Sequence, residues 1–286
     1  MPTRRNFLKL SLLLFVCITA FQGSYAQVST KKENWRSLFN GKDLSGWETY
    51  LDAPYAANSS QKLPPLGLNN DPGHVFSVVT EDGQPAMRIS GETFGGINTL
   101  EEFENYHLRL EFKWGTKKWP PKLDQPRDSG LLYHSTGNHG TPMLWMESFE
   151  YQIQEGDTGD YWGVMDVLAD ITAKKNGQGK YVYSAGSSPL VFQDKTTNGR
   201  TCLKSTDNEK ASGQWNTVDL YCFNGTCVHV INGKVNNVLT NTRHVVDGKV
   251  LPLNKGSIQI QSEGAEVFYR NIAVTGISSL PQNLVP

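Results

Sequence analysis

The chain has 286 residues, of which 38% are hydrophobic, 10% aromatic and 19% charged, and its 27 basic residues are nearly balanced by 28 acidic ones. The aromatic content is too high for a disordered tail, and 27 Gly with 14 Pro are too many turn-formers for a helical bundle, so a β-rich folded protein is expected. Balanced charge argues against nucleic acid as a partner, and no apolar run beyond residue 25 approaches the roughly 20 residues that span a bilayer.

Residues 1–26 read as an export signal: Arg4 and Arg5, an apolar stretch from Leu10 to Phe21, then the small-residue site Ser24-Tyr25-Ala26 before Gln27. The basic start fits both general secretion and the twin-arginine route, which exports proteins already folded. Val16 is too large for a lipidation site at Cys17, so cleavage after Ala26 is preferred. Cleavage leaves 24 basic against 28 acidic residues in a chain predicted to be one domain over 27–286, periplasmic or extracellular. No linker or internal repeat divides it.

Period-two alternation dominates the chain beyond the signal. The segment Leu51 to Gly73 reads as a long loop, with strands after it at Val75–Val79 and Ala86–Ser90. From His107 to Trp114, Leu108, Leu110, Phe112 and Trp114 share one face while His107, Arg109, Glu111 and Lys113 share the other. Gly115 to Arg127, with Trp119-Pro120-Pro121, reads as a second long loop of the kind that forms a functional rim. Further strands are predicted at Gly130–His134, Phe149–Gln154, Val167–Ala173, Tyr181–Ser184, Thr217–Phe223, Cys227–Ile231, Ser257–Gln261 and Val267–Val274. Val164 to Ile171 also meets helical spacing, but the Asn176-Gly177 turn behind it favours a strand. About a dozen short strands imply two packed antiparallel sheets, a jelly-roll β-sandwich.

Three cysteines lie beyond the signal. Cys222 and Cys227 flank the hairpin turn Asn224-Gly225, which sets them opposite each other in a non-hydrogen-bonded pair. They are a cross-strand disulfide or two buried thiols. No Cys-x-x-Cys or His-x-x-x-His spacing indicates zinc.

The chemistry concentrates between Glu147 and Gly163. A strand at 149–154 sends Phe149, Tyr151 and Ile153 inward and lines up Glu150, Gln152 and Gln154 on the other face. Amides both donate and accept, as sugar hydroxyls require, and a carboxylate accepts two hydroxyls or a proton. Gln259 and Gln261 repeat the pattern, and Arg270 is placed to project from the next strand. Trp47, Trp119, Tyr161 and Trp162 offer rings for a pyranose face. Glu155, Asp157 and Asp160 form a loose carboxylate group, able to serve a conventional glycanase or to bind calcium. His134, expected on the face of Leu132, is a candidate general base. No nucleophile elbow, phosphate loop or dinucleotide fingerprint occurs.

Several ordered blocks also resemble the 3-keto-disaccharide hydrolase domain family: Leu38-Phe39-Asn40-Gly41-Lys42-Asp43-Leu44-Ser45-Gly46-Trp47, Asn105 to Phe112, Asp128-Ser129-Gly130, Glu150-Tyr151-Gln152-Ile153, Trp215-Asn216-Thr217, Asn232-Gly233, and Gly256 to Gln261 through Phe268 to Ile272. The resemblance implies a concanavalin-like jelly roll acting on glycosides that carry a ketone at C3. That ketone acidifies the hydrogen on C2, so a base can remove it and the C1 substituent can leave by elimination, with water then adding to the enone. Such an enzyme needs a base near C2, a donor or metal for the enolate oxygen, and an acid for the departing oxygen. On matching positions, the resemblance implies that Glu150 and Gln152 line the sugar site with Gln261 and Arg270 in support. His134 is then the first candidate for the base and Glu150 the second. Gln154, Glu155, Asp157, Tyr161, Trp162, Trp119 and Arg127 are candidate substrate contacts. A divalent metal is admitted but no cofactor is demanded, and an exported sugar 3-dehydrogenase is the expected functional partner. The chain departs from the family pattern at Asp128, where Asn is usual, and at His134, where Arg is usual. The alternatives are a noncatalytic carbohydrate-binding module and a conventional β-glycanase.

Overall fold

The computed structural model describes Met1, residues 34–55 and residues 63–284. Apart from Met1, the expected export signal lies outside the described residues. Asn34–Pro286 cluster as one compact unit.

Two large antiparallel sheets build this unit, as the turn-rich alternating sequence predicts. The first runs, in spatial order, Tyr181–Tyr183, Val167–Lys175, Lys234–Val246, Thr226–Ile231, Asn216–Phe223, Tyr106–Lys118, Ala265–Gly276, Gln84–Ile89 and Phe76–Glu81. The second runs Thr201–Cys202, Tyr161–Val164, Glu147–Gln154, Asp128–Thr136, Lys255–Ser262, Gly95–Thr99, Trp47–Leu51 and Gly67–Leu68. Between them lies an apolar core in which Leu108, Leu110 and Phe112 from one sheet and Tyr133, Phe149, Tyr151 and Ile258 from the other are fully buried. The jelly-roll sandwich expected from the sequence is therefore present.

Backbone pairing decides the ambiguous segments. Val167–Lys175 is a strand because both of its edges are taken, one by Lys234–Val246 and the other by Pro189–Phe192 and Tyr181–Tyr183. The strand from Tyr106 continues past Trp114 to Lys118, where Ala265 pairs with Lys118, so the second predicted loop begins only at Trp119. Gly95–Thr99 gives no sequence signal because its two glycines look like a turn. They are there for space: a Cβ on Gly95 would sit 2.2 Å from the Tyr50 carbonyl oxygen, and one on Gly96 would sit 2.8 Å from the Gln259 amide nitrogen.

The Asn224-Gly225 hairpin forms as predicted. Both turn residues have positive φ, 46° and 74°, and Cys222 pairs with Cys227. The two thiols are free and buried here.

A pocket of buried acids and amides

The sandwich has two outer faces of different character. On the first sheet, polar side chains satisfy one another: Arg270 bonds Glu111 at 2.6 Å, His107 and Arg109 bond Asp219 at 2.7 and 2.6 Å, and Lys113 holds both Glu81 and Asp82. On the second sheet the pairing is incomplete. The side-chain oxygens of Gln259 and Gln261 are buried without hydrogen-bond partners, and that of Gln261, which lines a pocket, can accept from a ligand that donates.

Strand register builds the second face. Gln154 pairs with Asp128, Gln152 with Gly130, and Glu150 with both Leu132 and Trp162, so one strand's polar alternation meets its neighbours' outward positions. Phe149, Tyr151 and Ile153 point into the core as expected. Gly130 is the floor: a Cβ there would lie 2.2 Å from Gln261 Oε1 and 2.4 Å from Glu150 Oε1. Its lack of a side chain lets these two groups converge over the strand. The result is a pocket of about 250 Å³ bounded by Asp128, Glu150, Gln152, Gln154, Gln261 and Glu263, with Trp145, Trp162 and Arg200 around it. Arg200 lies over the Trp162 ring at 5.3 Å.

Its three carboxyl groups differ electrostatically. Burial holds Glu150 well above the usual carboxylate range, and the nearby charges of Glu263 and Asp128 push it the same way. Burial and Asp128 raise Glu263 to about 7, against the pull of Lys122. Asp128 is also raised by burial, opposed by the same lysine. Lys122, from the loop after Trp119, bonds Asp128 at 2.5 Å and Glu263 at 2.6 Å. With its amide nitrogen turned toward the acid, Gln152 donates to Glu150 Oε1 at 2.7 Å and to the Ser129 carbonyl at 3.1 Å.

The structure thus gathers Glu150, Gln152, Gln154, Trp162 and Gln261, and places the remaining candidates elsewhere. His134 is not in the pocket. The pairing of its strand shifts on both sides, between Glu147 and Phe149 and between Ser257 and Gln259, and His134 takes a positive φ of 50°. This bulge turns His134 to the same inner side as Tyr133, against Tyr106 and Phe149. Burial lowers its imidazole to about 3, so it stays neutral. Arg270 belongs to the other sheet, clamped by Glu111 and stacked on Trp215 at 3.8 Å. Tyr161 is a core residue. Trp119 donates its indole N–H to the Ser90 carbonyl at 2.9 Å. Arg127 and Glu155 pair at 3.0 Å, tying the strand Asp128–Thr136 to the end of Glu147–Gln154, and Asp157 is exposed in the turn after that strand.

Among the described residues, three His, Cys, Asp or Glu ligand atoms come within 4.8 Å of one another only at His134, Cys222 and Cys227. Neither the pocket acids nor the Glu155–Asp157–Asp160 group forms a ready carboxylate cage for a divalent ion.

Four contributors escaped the sequence. Glu263 had a legible cue, since 259, 261 and 263 continue one alternation. Lys122, Arg200 and Trp145 come from loops, whose side-chain directions have no period to read. Asp128 departs from the family pattern, and its register with Gln154 places it in the pocket.

Comparison with solved structures finds a candidate glycosyl hydrolase of Parabacteroides distasonis, 18% identical over 85% of this chain and 94% of that one, with a TM-score of 0.48. It also finds the carbohydrate-binding module CBM66 of Bacillus subtilis, 6% identical over 70% of this chain and 92% of that one, with a TM-score of 0.40. Comparison with curated proteins gave no match. Among the described residues, no helix is long and apolar enough to cross a membrane. The family model of the 3-keto-alpha-glucoside-1,2-lyase-like domain matches residues 34–275, the whole of the sandwich and its pocket, and the chain belongs to that carbohydrate-directed family.

Proposed function

We propose that the pocket cleaves 3-keto-glycosides, 3-keto-disaccharides among them, by elimination across C1 and C2 and then hydration. The observation that carries this reading is a set of carboxyl groups in one small pocket whose environments separate their protonation. Near neutral pH, Glu263 is about half ionised and Glu150 holds its proton, which is the division of labour an elimination needs. Glu263 removes the hydrogen on C2, made acidic by the adjacent ketone, and the electron pair moves onto the C3 oxygen as an enolate. Lys122 and Arg200 supply the positive charge near that oxygen. The ketone then re-forms, a C1–C2 double bond appears, and the C1 oxygen leaves with the proton of Glu150. Water adds to the enone to give the free 3-keto sugar. Gln152 orients Glu150, and Trp162 and Trp145 offer ring faces to the sugar.

Any divalent metal taking part would have to be held by Asp128, Glu150 or Glu263 with substrate oxygens completing its shell. The substrate must come from an oxidation at C3, so an exported sugar 3-dehydrogenase acting in the same periplasmic or extracellular space is the proposed partner.

The test is to incubate the purified protein with a disaccharide and its 3-keto derivative, with and without chelator, and to track sugar release by mass spectrometry. Release from the keto form alone is expected, falling about 10²-fold or more in Glu150→Gln with binding retained. Cleavage of the unoxidised sugar would instead indicate a conventional glycanase, and binding without cleavage a sugar-binding module.

A further inference from the structure

On the inner side of the strand Asp128–Thr136, the two sheets enclose a polar group that the pocket does not use. His134 from that strand meets Cys222 and Cys227, the facing pair of the Asn216–Phe223/Thr226–Ile231 hairpin, which belongs to the opposite sheet. The ligand atoms of all three lie within 4.8 Å of one another, and all three residues are buried. The ring nitrogens of His134 are buried, with the Leu253 backbone as a polar neighbour outside the trio and no side chain to satisfy them. A buried imidazole in that state is costly, and here it sits on a backbone with φ of 50°, a conformation seldom kept without a compensating interaction. The hydroxyl of Tyr106, whose ring meets His134 edge-on at 5.8 Å, is likewise buried, with the Cys222 thiol beside it.

We propose that His134, Cys222 and Cys227 form a buried structural zinc site that ties the pocket-bearing sheet to the opposite one, with the Tyr106 oxygen as a fourth donor. Two sulfurs and an imidazole nitrogen are a borderline-soft donor set of the kind zinc prefers. Tetrahedral ligands at about 2.0–2.3 Å from zinc are roughly 3.5–3.8 Å apart, so the observed spacing needs to close by only about 1 Å. The charge also suits a dry interior. Zinc(II) displaces one proton from each thiol, and the ion, two thiolates and a neutral imidazole sum to zero. Because the site lies between the sheets, the ion enters during folding rather than by diffusion into the finished sandwich.

The full chain, unfolded and refolded under a non-thiol reductant with zinc(II) or with cobalt(II) as a spectroscopic stand-in, tests this directly. Native mass spectrometry is expected to show one zinc per chain, a gain of one zinc mass less two protons. Cobalt is expected to give a thiolate charge-transfer band and tetrahedral visible bands. Both readouts should vanish in the double variant Cys222→Ala/Cys227→Ala and survive in Cys202→Ala, which removes the other buried thiol. His134→Gln keeps both sulfurs and should weaken cobalt binding at least tenfold, which keeps the test decisive if the double variant fails to fold. A folded wild-type chain that takes up no metal, a cobalt spectrum unchanged in these variants, or a Cys222–Cys227 disulfide in the protein as purified from its own compartment would each overturn the proposal. All of these outcomes are read from metal content, spectrum and mass, so they are distinguishable from success or failure of the 3-keto-sugar cleavage assay.

Discussion

At the scale of single residues, the pocket depends on one position that carries no side chain. Gly130 faces Glu150 and Gln261 from across the strand, and a methyl group there would meet only the flexible ends of those two side chains. Gly130→Ala is therefore expected to leave the melting temperature within about 2 °C of wild type while displacing the acid by an ångström or more, lowering kcat/KM by roughly 10²-fold. Steady-state kinetics beside a thermal melt will separate the two effects. An unchanged rate would show that Glu150 need not sit where Gly130 allows it. His134 teaches the converse lesson at the same scale. Its type and near-neutral reference pKa fit a general base, but a positive φ that no local pattern announces turns it inward and away from the pocket.

At the scale of elements, the readable parts were those with a period. The Glu150–Gln154 row, the Gln259–Gln261 row and the Leu108–Trp114 face can be read from alternation because a sheet leaves a side chain only two directions. Alternation failed where pairing overrode it, at the bulge around His134, and where the strand lacked side chains to alternate, at Gly95–Thr99. It could not place Arg270, because nothing local tells which of two sheets a strand joins. Loops set the remaining chemistry. The loop that carries Lys122 favours the charged forms of Asp128 and Glu263 from outside the strands. Removing that cation in Lys122→Met leaves burial and mutual repulsion unopposed, so the carboxyl of Glu263 should rise above its present value of about 7. The rising limb of the kcat/KM–pH profile, which reports ionisation of the base, is then expected to move up by about one pH unit. A limb that stays in place would remove Glu263 from the role of base.

At the scale of the whole molecule, buried acids make stability depend on pH in an unusual direction. Asp160, buried where it accepts a hydrogen bond from the Lys204 backbone N–H, is raised from 3.8 to about 7, and Glu263 from 4.5 to about 7. Between roughly pH 4 and 7 the folded protein binds more protons at these groups than the unfolded chain does. Their contribution is thus greatest at the acidic end and fades as pH rises through 7. The melting temperature of the free protein is expected to fall on the order of 5 °C between pH 5.5 and 8, and Asp160→Asn should flatten that slope. A melting temperature that climbs over the same interval would show that both acids are ionised in the fold. The order of strands has a further effect. Lys255–Ser262 is inserted between Gly95–Thr99 and Asp128–Thr136, so a segment made near the end of translation fills a gap between segments made much earlier. A nascent chain that lacks its last tenth has neither Gln261 nor a closed sheet beneath Glu150. The pocket therefore cannot be assembled until the last segment of the chain has been made, and a chain cut short before Lys255 carries an open sheet where the pocket would be.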